Sequence, residues 1–336
     1  MGRMTITELS RLTGFSKTTI SHVMNDTPGA RIRKDTREKI RAAALEHRYV
    51  PNYFARNIIR GKTKSLGFLT HDLETACFSG ELAAAESVCR ASGYQMSILF
   101  VSSADGLSED EAVQRALERG MDGLYADSLE QPGEAASNLG EFEARLALGQ
   151  PSTAPVDRIY IDWKEGFARL AGEIRARGHR IAALAAPPSE RARLAEARTA
   201  FSEQGLRAEE CSEQILFPNE AAGEMDGYFH KPTHPTVVVC FRSDWAIGLL
   251  TRLAATGVAV PGQISILLVG AAYGLGFETP SLARLECPFA QRAASAMQRL
   301  IERAKGQKNL SPLDLALKPR FVEGGSFGQA SKGAAA

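Results

Sequence analysis

The sequence predicts an all-α helix-turn-helix headpiece followed by an α/β core of two doubly wound parallel-sheet lobes, and three observations carry that prediction. Charge is divided along the chain: residues 1–65 hold 14 Lys and Arg against 5 Asp and Glu, a surplus of +9, whereas residues 66–336 carry −8. Three short helical patterns fill the first 50 residues, and from Ser65 onward short apolar runs alternate with longer amphipathic ones. That alternation argues for parallel sheets with helices on both faces, and roughly 270 residues are more than one such lobe usually organises.

The headpiece is assigned to residues 1–50. Thr7 is placed to cap a helix carrying Leu9 and Leu12, and Gly14 to end it through a left-handed backbone. Ser16 caps a second helix, in which Ile20, Val23 and Met24 recur at the three-and-four spacing of a buried face. The third runs from Asp35 to His47 and buries Ile40, Ala43 and Ala44. Residues 51–64 read as a linker with a conditional helix from Tyr53 to Gly61, because so short a helix nucleates poorly and needs something to dock on.

The core is assigned to residues 65–324. Its strands are placed at Leu66–Thr70, Met96–Val101, Gly123–Ala126, Arg158–Ile161, Ile181–Ala185, Thr236–Phe241 and Ile264–Gly270. The intervening helices are placed at Gly80–Ser92, Glu109–Arg119, Lys164–Arg177, Arg191–Gln204, Asp244–Thr256 and Pro288–Lys305. A ligand of such a core sits in the crevice at the carboxyl ends of the strands, between the lobes. Residues 325–336, rich in Gly, Ser and Ala, read as a disordered tail.

Several classes of protein are disfavoured. Five cysteines without C-x-x-C spacing are neither a disulfide framework nor a zinc site, and they fit reduced thiols. There is no basic start followed by an apolar run and no apolar stretch of about 18 residues, so a cytoplasmic location without membrane contact is expected. The carboxylates are scattered, Gly-x-Ser-x-Gly is absent, and His230 and His234 flank Pro232 in what reads as a solvated loop, so neither an enzyme, a cofactor nor a metal is expected.

The second helix carries the chemistry. With Ile20, Val23 and Met24 inward, Lys17, Thr18, Ser21, His22 and Asn25 face outward; each can donate a hydrogen bond and none is acidic. The major groove offers mostly acceptors on its base edges and phosphates on its walls, which suits that face to double-stranded DNA. Lys17, Thr18 and His22 are the expected base readers, with Ser16, Thr19, Ser21 and Asn25 as phosphate contacts near the helix N-terminus.

The run Thr5-Ile6-Thr7-Glu8-Leu9 through Gly14-Phe15-Ser16-Lys17-Thr18-Thr19-Ile20-Ser21-His22-Val23-Met24-Asn25, continued by Thr36-Arg37-Glu38-Lys39-Ile40, Tyr49, Pro51-Asn52 and Ala55-Arg56, resembles the headpiece of the lactose-repressor (LacI/GalR-type) family. Further along, Ser65-Leu66-Gly67-Phe68-Leu69, Asp122-Gly123-Leu124, Arg177-Gly178-His179 and Val260-Pro261-Gly262 resemble that family's effector core, which is similar to periplasmic sugar-binding proteins. The resemblance implies a homodimeric repressor of a carbohydrate or related catabolic pathway, bound to a near-palindromic operator, with a small-molecule effector between the lobes. It also implies that Arg56 contacts phosphate and that Ile58, at the position of the family's hinge leucine, wedges into the minor groove.

Two features depart from the family. Arg33 stands where a serine usually caps the third helix, and Asp35 is expected to take over that cap. In the effector cleft the resemblance implies Asp72, Phe78, Arg198, Asp244 and Tyr273, yet Ser243 replaces an asparagine, Ala197 replaces an arginine, and Gly270-Ala271-Ala272-Tyr273 lacks both carboxylates of the family's turn. A sugar needs polar partners for its hydroxyls, so a less polar effector, or control without one, is expected. A small-molecule binding protein with a vestigial headpiece is the rival from another class.

Overall fold

The computed structural model describes residues 4–27, 29–50, 62–71, 73, 76–101, 108–127, 129, 146–152, 155–187, 190–211, 234–270, 278–306 and 310–331. The chain divides into two compact units, Met1–Thr63 and Lys64–Ala336. Of the expected site residues, Arg56, Ile58, Asp72 and Tyr273 lie outside the described residues, and so does the Tyr53–Gly61 helix.

The first unit holds α1 (Ile6–Thr13), α2 (Lys17–Met24) and α3 (Lys34–Glu46). The cap of α1 is Thr5, not Thr7: the Thr5 side chain accepts from Glu8 N while Glu8 accepts from Thr5 N at 2.7 Å, a reciprocal box that only a residue three places before Glu8 can close. Gly14 ends α1 at φ 72°, a left-handed conformation that any side chain would strain. Ser16 caps α2 by accepting from Thr19 N at 3.1 Å. Arg33 caps α3 without a side-chain bond; Asp35 does not replace it but lies in the first turn, where a carboxylate favours the helix dipole. Leu9, Ile20, Val23, Ile40 and Ala44 form the small core, whereas Leu12 points outward and is 58% exposed. Eight residues make barely two turns, and in α1 only Leu9 is fully buried, with Ile6 packed partly buried beside the cluster.

The second unit holds two six-stranded sheets. In the first, the order is β2 (Gln95–Phe100), β1 (Ser65–Thr70), β3 (Gly123–Ala126), β4 (Leu146–Leu148), β5 (Asp157–Ile161) and β11 (Asp314–Leu317), all parallel. In the second it is β7 (Arg207–Glu210), β6 (Ile181–Ala185), β8 (Val237–Cys240), β9 (Ser265–Gly270), β10 (Ala283–Glu286) and β12 (Arg320–Val322), with only the β10–β12 pair antiparallel. Strands buried on both faces read as continuous apolar runs, as Ser265–Gly270 shows. Five strands, β4, β7, β10, β11 and β12, escape sequence reading: all are only three or four residues long, and β7, β10, β11 and β12 carry charged residues in place of the apolar run that marks the equally short β3 and β8.

Helices α4 (Ala76–Ala91) and α5 (Glu109–Glu118) follow β1 and β2 in the first lobe; α6 (Trp163–Ala176), α7 (Arg191–Glu203) and α8 (Ser243–Ala255) serve the second. The last helix, α9 (Phe289–Ala304), leaves β10 of the second sheet yet packs on α4 and on β3, β4 and β5 of the first. The chain therefore crosses between lobes three times, after β5, after β10 and after β11. The crossings bind each other: Asp162 N donates to Leu317 O at 2.8 Å, and Gly166 lies so close to Pro319 that a Cβ there would meet its ring at 2.8 Å. One apolar cluster runs through both lobes, from Phe68 and Tyr125 to Phe167, Phe201 and Leu285, and each such side chain contributes about 1.5–3 kcal/mol by leaving water.

The tail expectation is corrected. Residues 325–331 are packed rather than disordered: Ser326 is fully buried, Ile266 N donates to its carbonyl at 2.8 Å, and its hydroxyl donates to Ile266 O at 2.6 Å while accepting from Ala283 N at 3.0 Å. Glycine serves close approach here, since a Cβ on Gly324 would lie 2.3 Å from Ala283 N.

Candidate nucleic-acid interface and core cleft

On α2, full burial of Ile20 and Val23 against Leu9 and Ile40 fixes which face is outward. Lys17 and Thr18 are exposed; Thr19, Ser21, His22 and Asn25 are half-buried beside them. Four of the expected phosphate contacts, Ser16, Thr19, Ser21 and Asn25, also have work inside the unit. The Ser16 hydroxyl caps α2 and shares a hydrogen bond with the Thr19 hydroxyl at 2.8 Å. The Asn25 amide turns back on the helix, donating to Ser21 O at 2.7 Å and Ser21 Oγ at 3.1 Å.

The acid nearest this face is held by cations. Asp26, left-handed at φ 43°, pairs with Arg41 and lies 3.7 Å from Arg37, while Arg37 Nη2 also donates to Ala30 O at 3.0 Å. These bonds tie the loop between α2 and α3 to α3. Arg31, Arg33 and Lys34 stand exposed at the start of that helix and add to the cationic face.

In the core, each described cleft candidate has a partner of its own. Phe78 is buried, with its ring edge-on to Phe68 at 5.8 Å, and Phe68 is in turn edge-on to Tyr125 at 4.9 Å. Ala197 is fully buried in the apolar cluster, while Arg198 points outward and pairs with Glu210 on the edge strand β7. Asp244 opens α8 beside Ser243 and is gripped by both ends of the Arg242 guanidinium, at 3.0 and 2.7 Å. That grip holds its carboxyl below the usual carboxylate range.

Sequence reading missed a buried polar network in the first lobe. Arg292 on α9 donates from Nε and Nη2 to Glu81 on α4, and its Nη1 reaches the carbonyl of Gly149 at 3.2 Å. The Tyr125 hydroxyl adds a bond to Glu81 at 3.4 Å, and Thr70 donates to Asp127 at 2.6 Å. These groups sit at the carboxyl ends of β1, β3 and β4, the end at which such sheets bind ligands. Burial raises the Glu81 carboxyl, with Arg292 opposing; burial also opposes the Arg292 charge, but Glu81, Tyr125 and Asp127 together outweigh it and raise its pKa, so the guanidinium stays charged. The available signal was a charge on the apolar stripe of each helix: Glu81 among Phe78, Leu82 and Ala85, and Arg292 among Phe289, Ala293 and Ala296.

A small three-helix unit with an acid-free outward helix, attached to a two-lobed α/β core, defines a DNA-binding transcriptional regulator. The chain carries a lacI-type helix-turn-helix domain ahead of a periplasmic-binding-protein-like domain. Residues 5–52 match the family described as bacterial regulatory proteins, lacI family, and residues 171–327 match the periplasmic binding protein-like domain. Among curated relatives, the HTH-type transcriptional repressor PurR of Vibrio atlanticus (strain LGP32) is 26% identical over 332 residues, covering 95% of this chain and 97% of its own. Among solved structures, the lac repressor dimer bound to operator and the anti-inducer ONPF has a TM-score of 0.78 at 21% identity, covering 97% of this chain and 99% of its own. A LacI-family regulator from Silicibacter pomeroyi has a TM-score of 0.79 at 18% identity, covering 96% and 99%. At those identities the solved structures establish the fold.

Proposed function

We propose that the protein is a repressor that binds a near-palindromic operator as a homodimer, with α2 in the major groove of each half-site and the half-site centres about 34 Å apart. The observation that carries the reading is the outward face of α2, where Lys17, Thr18 and His22 stand together without an acid on a unit of strongly positive charge. Lys17, Thr18 and His22 read base edges; Ser16, Thr19, Ser21 and Arg56 contact phosphate, and Ile58 wedges into the minor groove. Asn25 joins the phosphate contacts once its amide leaves Ser21. The PurR name and the operator-bound lac repressor support repression and dimeric binding by analogy. The regulated genes belong to a carbohydrate or related catabolic pathway, as the family resemblance implies.

The test is selection of binding sites from random duplex DNA by the parent and by His22→Ala. A palindromic motif for the parent and a changed base preference for the variant are expected, whereas Arg56→Ala weakens all sites alike. An unchanged motif from His22→Ala rejects its base-reading role. Failure of the parent to enrich any sequence favours the small-molecule binding protein with a vestigial headpiece.

A specific observation favours an atypical effector, or none. Asp244 and Arg198 are each neutralised by a neighbour, Arg242 and Glu210, so neither is poised for sugar hydroxyls. Calorimetry against a panel of sugars and metabolites separates the readings; tight binding of a common monosaccharide rejects the altered cleft.

A further inference from the structure

Lys64 is the first residue of the second unit and carries the chain from the linker into β1. Its backbone is left-handed, φ 52°, without being glycine, and such strain persists only where the surroundings hold it. Here they hold it from both sides. Lys64 N donates to Asp122 Oδ2 at 2.8 Å, Gln95 N donates to Lys64 O at 2.8 Å, and Asp122 N donates to Ser65 O at 2.8 Å. Gln95 opens β2 and Asp122 immediately precedes β3, so the two strands flanking β1 clamp its entry. Asp122 is only 6% exposed, and its carboxylate sits where a sheet of this kind needs no charge for its own ladder.

We propose that Asp122 is a positioning residue for operator binding: with Gln95 it locks Lys64 in a left-handed turn, and that turn fixes the path of the chain at the point where the linker enters the core. The inference rests on the DNA-binding reading above. Two headpieces joined through their cores bind one operator jointly, so a joint that frays where each linker enters its core lengthens the tether and lowers the effective concentration of the second headpiece without altering either reading helix. The strained residue is the hinge pin, and the buried carboxylate is its socket.

The experiment measures affinity for the selected operator and for non-operator DNA in the full-length protein, together with thermal unfolding. Lys64→Pro removes the donated N–H and forbids a positive φ, whereas Lys64→Gly keeps the N–H and adopts that φ freely, with the same loss of charge. Lys64→Pro and Asp122→Ala are expected to weaken operator binding by about tenfold or more. Lys64→Gly, and Asp122→Asn with its remaining acceptor oxygen, stay near the parent, and non-operator affinity is unchanged throughout. Parent-like operator binding by Lys64→Pro overturns the proposal, and so does equal loss in Lys64→Gly. A parallel loss of operator affinity, non-operator affinity and thermal stability reduces the clip to a structural bond and also overturns it. If the parent itself selects no operator, the DNA-binding reading fails first and the joint falls with it.

Discussion

Arg292 and Glu81, 211 residues apart in sequence, meet inside the first lobe with two guanidinium nitrogens on one carboxylate oxygen, at 2.9 and 2.7 Å. The pair bonds α9, which has just crossed from the second sheet, to α4. Removing one partner strands a buried charge, so Arg292→Leu is expected to lower stability by about 3–5 kcal/mol. The double change Glu81→Leu with Arg292→Met replaces the pair by apolar volume and recovers most of that loss. Urea unfolding of the three proteins checks both statements; additive losses in the double variant contradict them.

The packed tail gives a second prediction. Ser326→Ala leaves Ala283 N and Ile266 O without their shared hydroxyl partner, at an expected cost of about 1–3 kcal/mol. Ending the chain at Glu323 removes the whole segment and lowers the unfolding temperature further. A truncated protein that melts with the parent shows that the tail contributes nothing.

His179 makes stability depend on pH. Its Nδ1 lies 2.7 Å from the Thr236 hydroxyl and its Nε2 3.1 Å from Gly328 O, an arrangement met by the neutral ring donating from Nε2. Burial pushes its pKa below the ordinary 6.5, and the charge of Arg177 adds to that, against the opposing bond to Gly328. The unfolded chain therefore takes up the proton first, and the stability tied to the neutral ring is complete above pH 6.5 and declines as pH falls below it. Urea midpoints measured from pH about 7.5 to about 5.5 are expected to fall more steeply in the parent than in His179→Gln. Equal slopes would remove His179 from the account.

Capping of the headpiece is open to a direct check. Thr5→Ala removes the half of the box in which the Thr5 hydroxyl accepts from Glu8 N, leaving the backbone bond from residue 5 to Glu8, and is expected to cost about 1 kcal/mol. Amide exchange along α1 should speed up by about fivefold, while α7 in the core is unaffected. Unchanged exchange would place the start of α1 under other control.

Thiol reactivity tests core burial. Burial pushes Cys89 and Cys211 up to about 12, so alkylation of either in the native protein at neutral pH should be slow and become fast in urea. Rapid native labelling of Cys211 would show that the carboxyl end of β7 opens readily.

Headpiece and core differ in how far local chemistry reaches. The Ser16 cap, the Gly14 stop and the inward row of Ile20 and Val23 act within one or two helical turns, so residue order alone is enough to place α2 and its outward face. The core strands Ser65–Thr70 and Ser265–Gly270 were legible for a related reason, being apolar along their length. Thr5 was missed because two threonines stand near the start of α1, and only the bond back from Glu8 decides between them.

What the sequence by itself determined was therefore a basic three-helix unit with an acid-free reading face, ahead of an alternating α/β core. Tertiary structure alone decided that α9 returns to the first lobe, that Arg292 finds Glu81, that a Gly-rich tail bonds to both β9 and β10, and that Asp122 holds Lys64 in a left-handed turn. Those outcomes depend on which distant segments meet, and periodicity carries no such information. A buried charge or a close-packed glycine looks like a surface feature until its partner arrives.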